Sequence, residues 1–314
     1  MQYDVLAMGE PMFELNQQPD GRFLPGFGGD TSNVAIAAAR LGAKASVLTK
    51  LGGDPFGDAI TELWRRENVD SHAVTRHPAA PTGIYLVTHS DHRHSFSYYR
   101  QGSAASLLSA ADVPRELISA ARFLHVSGIS QAISVTAAGA VDHAIAIARA
   151  ADVKLSYDTN LRLRLWPLEQ ARPVIDKTAA MAHVLKTSVE DAQQLLDLAD
   201  PVRIAGHFLD LGSAIVVVTL GAHGVYVADA RTGQEVAGFD IDAVDATGAG
   251  DAFTGAFLTE LARGRDLDSA ARFANAAAAL STLGYGAVAP LPRRAEVESF
   301  LKLNATGAFG VSRA

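Results

Sequence analysis

The sequence predicts an α/β fold: three layers, with a mostly parallel central sheet between helices, plus a small separate β-sheet. Three observations carry this. Short apolar runs of strand length alternate with stretches of helical periodicity, the pattern of a parallel sheet covered on both faces. Polar or Gly-rich clusters follow those runs at Gly9-Glu10, Ser127-Gly128, Asp158-Thr159-Asn160 and Thr219-Leu220-Gly221, where the ligands of such sheets sit. Two segments, 11–27 and 82–100, interrupt the alternation and carry no clear helix.

In chain order, Tyr3–Met8 reads as the first strand, ending at Gly9. Gly28-Gly29-Asp30-Thr31-Ser32-Asn33 then leads into a helix closed by Gly42, with Asp30, Thr31 and Ser32 all good N-caps. Residues 84–88 and 95–99 read as a hairpin around Ser90-Asp91-His92-Arg93, rich in aromatics. Further buried strands are expected at 123–126, 153–157, 182–185 and 214–219, with helices at 136–150 and 190–198 between them. Thr219-Leu220-Gly221-Ala222-His223-Gly224 reads as a Gly-rich hairpin joining 215–218 to 225–228. Phe253, Ala256, Phe257 and Leu261 repeat at helical spacing and end near Gly264, and an Ala-rich helix covers 273–283. One domain is expected over 1–303, its small sheet formed by about 11–27 and 82–101, with a loose tail at 304–314.

At 314 residues the chain is long enough for a large core. Its 19% charged and 48% hydrophobic content is that of an ordinary globular enzyme. The net charge of −7, with no basic run, argues against nucleic acid as a partner. Without cysteines there is neither a disulfide framework nor a thiolate metal site, and the histidines show no zinc spacing. No apolar run reaches membrane-spanning length, and the N-terminus lacks the layout of a signal peptide, so a cytoplasmic location is expected.

The segment Val244-Asp245-Ala246-Thr247-Gly248-Ala249-Gly250-Asp251-Ala252-Phe253 is the most informative. Its glycines fall at the start of a helix, where bare N–H groups and the helix dipole favour an anion such as phosphate. Asp251, in the first turn, is placed to take a proton from an attacking hydroxyl. Together these suggest phosphoryl transfer, although Gly-Ala-Gly alone is often a tight turn and a first-turn Asp often only a dipole partner.

The string from Asp245 to Phe253 resembles the C-terminal signature of the ribokinase-like carbohydrate kinases, the PfkB family, and Gly28 to Asn33 resembles that family's N-terminal di-glycine signature. The resemblance runs from Gly9 to about Pro290. It implies the ribokinase-like three-layer fold, with the small sheet acting as a lid over the sugar site. It makes Asp251 the general base and assigns the oxyanion of the transferring phosphate to the amides of Gly248, Ala249 and Gly250. Substrate contacts fall on Gly28, Gly29, Asp30 and Asn33, and nucleotide contacts on Asn160, Lys186, Ser188, Thr219, Gly221, Gly224 and Asn275. Glu190 would hold Mg²⁺ through water, although Thr187 stands where many members have Asn; Asp245 and Thr247 would serve K⁺.

Three softer strings, Gly9 to Glu14, Tyr98 to Ala105 and Asp158 to Trp166, are similar to the 2-keto-3-deoxygluconate kinase branch. The implied reaction is ATP-dependent phosphorylation of the primary hydroxyl of a sugar acid, 2-keto-3-deoxygluconate giving its 6-phosphate. A buried carboxylate needs a cation, and Arg100 and Arg162 follow strands from which they would converge on the pocket. Tyr85 and Tyr98 are expected to meet substrate hydroxyls, although aromatics in a sheet are more often packing. A neutral-sugar kinase of the same family, a fructokinase or ribokinase, stays open, as does a sugar- and nucleotide-binding sensor without catalysis. A dinucleotide enzyme would carry Gly-x-Gly-x-x-Gly after the first strand, where Gly9-Glu10-Pro11-Met12 stands. The expected partners are the sugar acid, ATP and a second copy of the chain paired through the lid's open edges.

Overall fold

A computed structural model describes residues 2–18, 20–90 and 93–305. Its strands are β1 (Tyr3–Met8), β2 (Met12–Gln17), β3 (Phe23–Gly28), β4 (Ala45–Leu48), β5 (Lys50–Gly52), β6 (Thr75–His77) and β7 (Gly83–Ser90). They continue as β8 (Arg93–Tyr99), β9 (Ala121–Ser127), β10 (Lys154–Asp158), β11 (Val184–Ser188), β12 (Ile215–Thr219), β13 (Gly224–Asp229) and β14 (Gly233–Ala237). Eight of them form one sheet in the order β14-β13-β12-β11-β10-β9-β1-β4. From β12 to β4 all neighbours are parallel; β13 and β14 extend the edge as antiparallel hairpins.

The unbroken apolar character of these strands follows from burial on both faces. In β1, Leu6 and Met8 enter the core under the helices Val135–Ala150, Leu168–Ala179 and Pro201–Leu211. Val5 and Ala7 point the other way, toward the helices Asp30–Arg40, Ala249–Ala262 and Leu267–Ser281. Valines of β12 divide likewise, Val216 and Val218 to one side and Val217 to the other. Because the chain leaves β1 toward β4 and later returns to β9 on β1's other side, the sheet has a switch point between β1 and β9. A crevice beyond the C-terminal strand ends is the consequence.

The second sheet, β3-β2-β7-β8, takes its strands from the two segments that lacked helical periodicity. Its inner face packs Met12, Tyr85 and Val87 against Phe96. Of the turn expected at Ser90-Asp91-His92-Arg93, residues 91 and 92 lie outside the described residues; β7 and β8 pair up to Ser90 and Arg93. A two-stranded ribbon of β5 and β6 and the helix Pro55–Arg66 were not read from the sequence. The expected tail needs correction: Asn304 and Ala305 complete the helix Arg294–Ala305, and only 306–314 lie outside the described residues.

The helix Asp30–Arg40 is held in place partly by Trp64, fully buried, whose indole N–H donates to Ser32 Oγ at 2.9 Å. Trp64→Ala removes both the packing and the hydrogen bond, so urea denaturation should show a loss of ~3–5 kcal/mol.

Candidate active site

Beyond the C-terminal ends of β1, β10, β11 and β12, and under the second sheet, lies a cavity of about 920 Å³. Its floor is the start of the helix Ala249–Ala262. Gly248 is the N-cap at φ +78°, a left-handed conformation, and a Cβ on it would come within 3.0 Å of the Ala287 carbonyl oxygen. Only glycine meets both constraints cheaply. No side chain caps this helix, so the N–H groups of its first turn are not answered by a capping oxygen. Gly248, Gly250 and Asp251 line the cavity, and the Lys186 ammonium sits 3.2 Å from where a Gly250 Cβ would be. Ala249 departs from expectation: its N–H donates to the Ala246 carbonyl at 3.1 Å and does not line the cavity.

Asp251 sits partly buried on the wall. Burial, then the nearby Asp30, pushes its carboxyl up to about 8, against the opposing pull of the Asn33 hydrogen bond and of Lys186. Asn33 Nδ2 donates to Asp251 Oδ2 at 2.8 Å. The Asn160 amide donates to Asp30 Oδ2 at 2.8 Å, joining the end of β10 to the helix Asp30–Arg40. Lys186 is buried and pairs with Asp158 at 2.7 Å. Burial disfavours its charge, but Asp158 outweighs that and holds the ammonium above its ordinary range.

The remaining expected residues fall into two groups. Gly29, Asp30, Asn33, Asn160, Ser188, Thr219 and Thr247 line the cavity; Ser188 also caps the helix Val189–Leu196. Gly29, at φ +99°, could not carry a Cβ without striking the Glu10 carbonyl oxygen. Gly28 is off the wall, against the Tyr85 ring. Gly221 and Gly224 flank a short turn between β12 and β13, also off the wall. Asn275 spends its amide on the carbonyls of Val236 and Ala237, at 2.9 and 3.1 Å, and holds β14 rather than lining the cavity. Glu190 is exposed and off the wall; its neighbour Asp191 lines it instead, accepting from the Leu161 N–H at 2.9 Å. Asp245 is a staple: Oδ1 accepts from the N–H and hydroxyl of Thr247, and Oδ2 from the Gly286 N–H.

On the lid side, the Tyr85 hydroxyl donates to the buried Glu14, so it is committed within the lid. Tyr98 faces the cavity under the Arg100 guanidinium, 5.7 Å from its ring centre. Arg100 pairs with Glu10, a fully buried carboxylate that also accepts from Ser103. Arg100 reaches the cavity wall, as expected, but part of its charge is already answered by Glu10. Arg162 and Arg164 line the cavity, and each donates to a backbone carbonyl, Leu161 at 2.8 Å and Phe96 at 3.4 Å. Neither makes an ion pair among the described residues.

Sequence reasoning passed over Glu10, Asp158, Asp191 and Arg164. The first two stood in the quoted strand-end clusters, the position from which a side chain enters such a crevice. Asp191 and Arg164 had no comparable signal. Among the described residues no three His, Cys, Asp or Glu side chains group as metal ligands, and no helix is long and apolar enough to cross a membrane.

A crevice at the switch point, roofed by the second sheet and floored by an uncapped helix start beside a carboxylate, has the parts that a phosphotransferase acting on a small alcohol needs. The model of the pfkB family carbohydrate kinases matches residues 4–294. The chain is 36% identical to the 2-dehydro-3-deoxygluconokinase of Thermoproteus tenax, across 95% of this chain and 94% of that one. It is equally 36% identical to a probable fructokinase-2 of Arabidopsis thaliana, across 95% and 96%. A solved structure of a putative ribokinase II from E. coli, in complex with ATP and Mg²⁺, superposes with a TM-score of 0.88 at 25% identity, covering 96% of this chain and 99% of that one. The chain belongs to the pfkB family of carbohydrate kinases and is a sugar kinase of ribokinase-like fold.

Two outcomes follow from the charges at the floor. A raised carboxyl keeps its proton in the folded state while the unfolded chain releases it, so stability falls as pH rises through the interval up to about 8. Asp251→Asn should therefore be more stable than wild type to urea at pH 8, the gap closing toward pH 5. Asp158→Asn strands the buried Lys186 and should cost ~3–5 kcal/mol in the same measurement.

Proposed function

We propose that this kinase transfers the γ-phosphoryl group of ATP to the primary hydroxyl of a sugar acid, 2-keto-3-deoxygluconate, giving the 6-phosphate. The supporting observation is Arg162 and Arg164 on the cavity wall, neither in an ion pair among the described residues. Two guanidinium groups facing a 920 Å³ cavity suit a ligand that brings its own carboxylate.

In this reading the sugar acid lies under the lid and the nucleotide beside Thr219, Ser188 and Lys186. Asp251 accepts the proton of the primary hydroxyl, and the oxygen so freed attacks the γ-phosphorus in line as the bond to the ADP oxygen breaks. The first-turn amides at Gly248 and Gly250, with Lys186 beside them, stabilise charge growing on the transferred group. The oxygen-rich wall of Asp158 and Asp191 suits a hydrated Mg²⁺ delivered with the nucleotide, which would shield phosphate charge when bound. With no acidic triad among the described residues, most of that ion's ligands would be water and phosphate.

A neutral sugar is the second reading, favoured by the Arg100–Glu10 pair, which removes one of the cations a carboxylate would use. We further propose a homo-oligomer built on the lid: β3 and β8 are the edges of its sheet, and Phe23, Leu24 and Tyr99 are exposed on them. Light scattering should then show a dimer or larger assembly.

An ADP-coupled assay over 2-keto-3-deoxygluconate, its galactonate epimer, fructose and ribose should give the highest kcat/KM for a sugar acid; a higher value for fructose would establish the second reading. Arg162→Ala should raise KM for the acid about 10–100-fold and leave fructose nearly unchanged. Asp251→Ala should lower kcat roughly 10²–10⁴-fold while calorimetry shows ATP still bound. In wild type kcat/KM should fall as pH drops below about 8, where Asp251 takes up a proton and can no longer accept one.

A further inference from the structure

The geometry points to Asn33 as the positioning residue of the base: its amide holds one oxygen of Asp251 and leaves the other to take the substrate's proton. This rests on the reading of Asp251 as general base. Asn33 is 3% exposed and lies in the first turn of the helix Asp30–Arg40. Its 2.8 Å bond to Oδ2 is the one side-chain hydrogen bond to Asp251 among the described residues.

The bond joins two helices that cannot shift much relative to each other. They touch at Gly255, where a Cβ would be 2.7 Å from Ala37 Cβ and from the Val34 carbonyl oxygen. An amide presented from a rigid helix fixes the rotation of the carboxylate it holds. Asn33 Oδ1, on the same cavity wall, is buried without a hydrogen-bond partner among the described residues. An orphaned buried acceptor is costly unless a ligand supplies a donor, and a sugar hydroxyl is such a donor. One side chain thus touches both the base and the place where the sugar must sit.

The charges around Asp251 make this single donor matter. Asp30 from the Asn33 helix and Asp158 from β10 both oppose ionisation. Tyr85 reaches the base's field from β7, and Lys186, a cation that favours its ionisation, is claimed by Asp158 at 2.7 Å. A neutral amide hydrogen bond stabilises the charged carboxylate without neutralising it, as an ion pair would.

Two measurements test the assignment. In sugar phosphorylation, Asn33→Ala should move the acid limb of kcat upward by roughly one to two pH units, so that much of the lost activity returns in alkaline buffer. Asn33→Ser, which keeps a short donor, should move it less and serves if the alanine variant does not fold. A rise in KM with an unmoved acid limb would overturn the proposal and leave Asn33 a substrate contact only. Independently of any substrate, a double-mutant cycle of Asn33→Ala and Asp251→Asn by urea unfolding from pH 6 to 10 should show coupling that grows as Asp251 ionises. Coupling that does not change with pH overturns the proposal. If the wild-type enzyme phosphorylates no member of the sugar panel, the functional reading fails, and the cycle still decides the Asn33 assignment.

Discussion

One constraint organises the structure around the cavity: the carboxylate of Asp251 is left without an ion pair among the described residues, in a space already crowded with acids. Glu10, Asp30, Asp158, Asp191 and Asp251 all line the same space. Such a cluster is tolerable only if most of its members are answered locally. Glu10 is answered by Arg100 and Ser103, Asp158 by Lys186, Asp30 by Asn160 and the Thr31 N–H, and Asp191 by the Leu161 N–H and Thr159. Asp251 alone receives only an amide, which leaves its carboxyl raised, as the proposed role of proton acceptor would require.

The backbone supplies the complementary half. An uncapped helix start gives donors that need no desolvated cation, and in the proposed reaction they would stay fixed while charge develops on a phosphoryl oxygen. Keeping that start open has a steric condition, met by Gly248 against Ala287, while the Asp245 staple to Gly286 holds the two loops together. The residues expected to hold a monovalent cation therefore first of all close a loop. Lys186 beside Gly250 brings positive charge to the amides without an ion pair to Asp251, since its ammonium is anchored by Asp158.

The lid explains why recognition of the substrate is the finer question. Its inner face commits Tyr85 to Glu14 and Arg100 to Glu10, so two of the polar groups that would read a sugar are occupied in building the lid and tying it to the end of β1. Tyr98 above and Arg162 and Arg164 at the side also line the cavity, and none of them makes an ion pair among the described residues. If substrate class is read at this wall, a few long side chains would do the reading. Equal identity to a 2-dehydro-3-deoxygluconokinase and a probable fructokinase is consistent with a shared chemical floor under a variable rim.

By itself the sequence determined most strands of the large sheet and the hairpin of the second, several of the helices around the site, the helix start at Gly248 and the candidate base. Each of these follows from local rules: apolar period, glycine at a left-handed turn, acid in a first turn. It also marked the two segments that form the second sheet, because those lack helical periodicity. Pairings between distant residues were out of its reach. Asn33 with Asp251 spans 218 positions, and Tyr85 with Glu14 spans 71. Whether Arg100 is a free cation or Glu10's counter-ion, and whether Asp191 or Glu190 faces the cavity, depends on which side chains the sheet and lid bring within about 3 Å of each other. A one-dimensional pattern records which residues can carry charge; only the packed chain settles which of those charges are already cancelled.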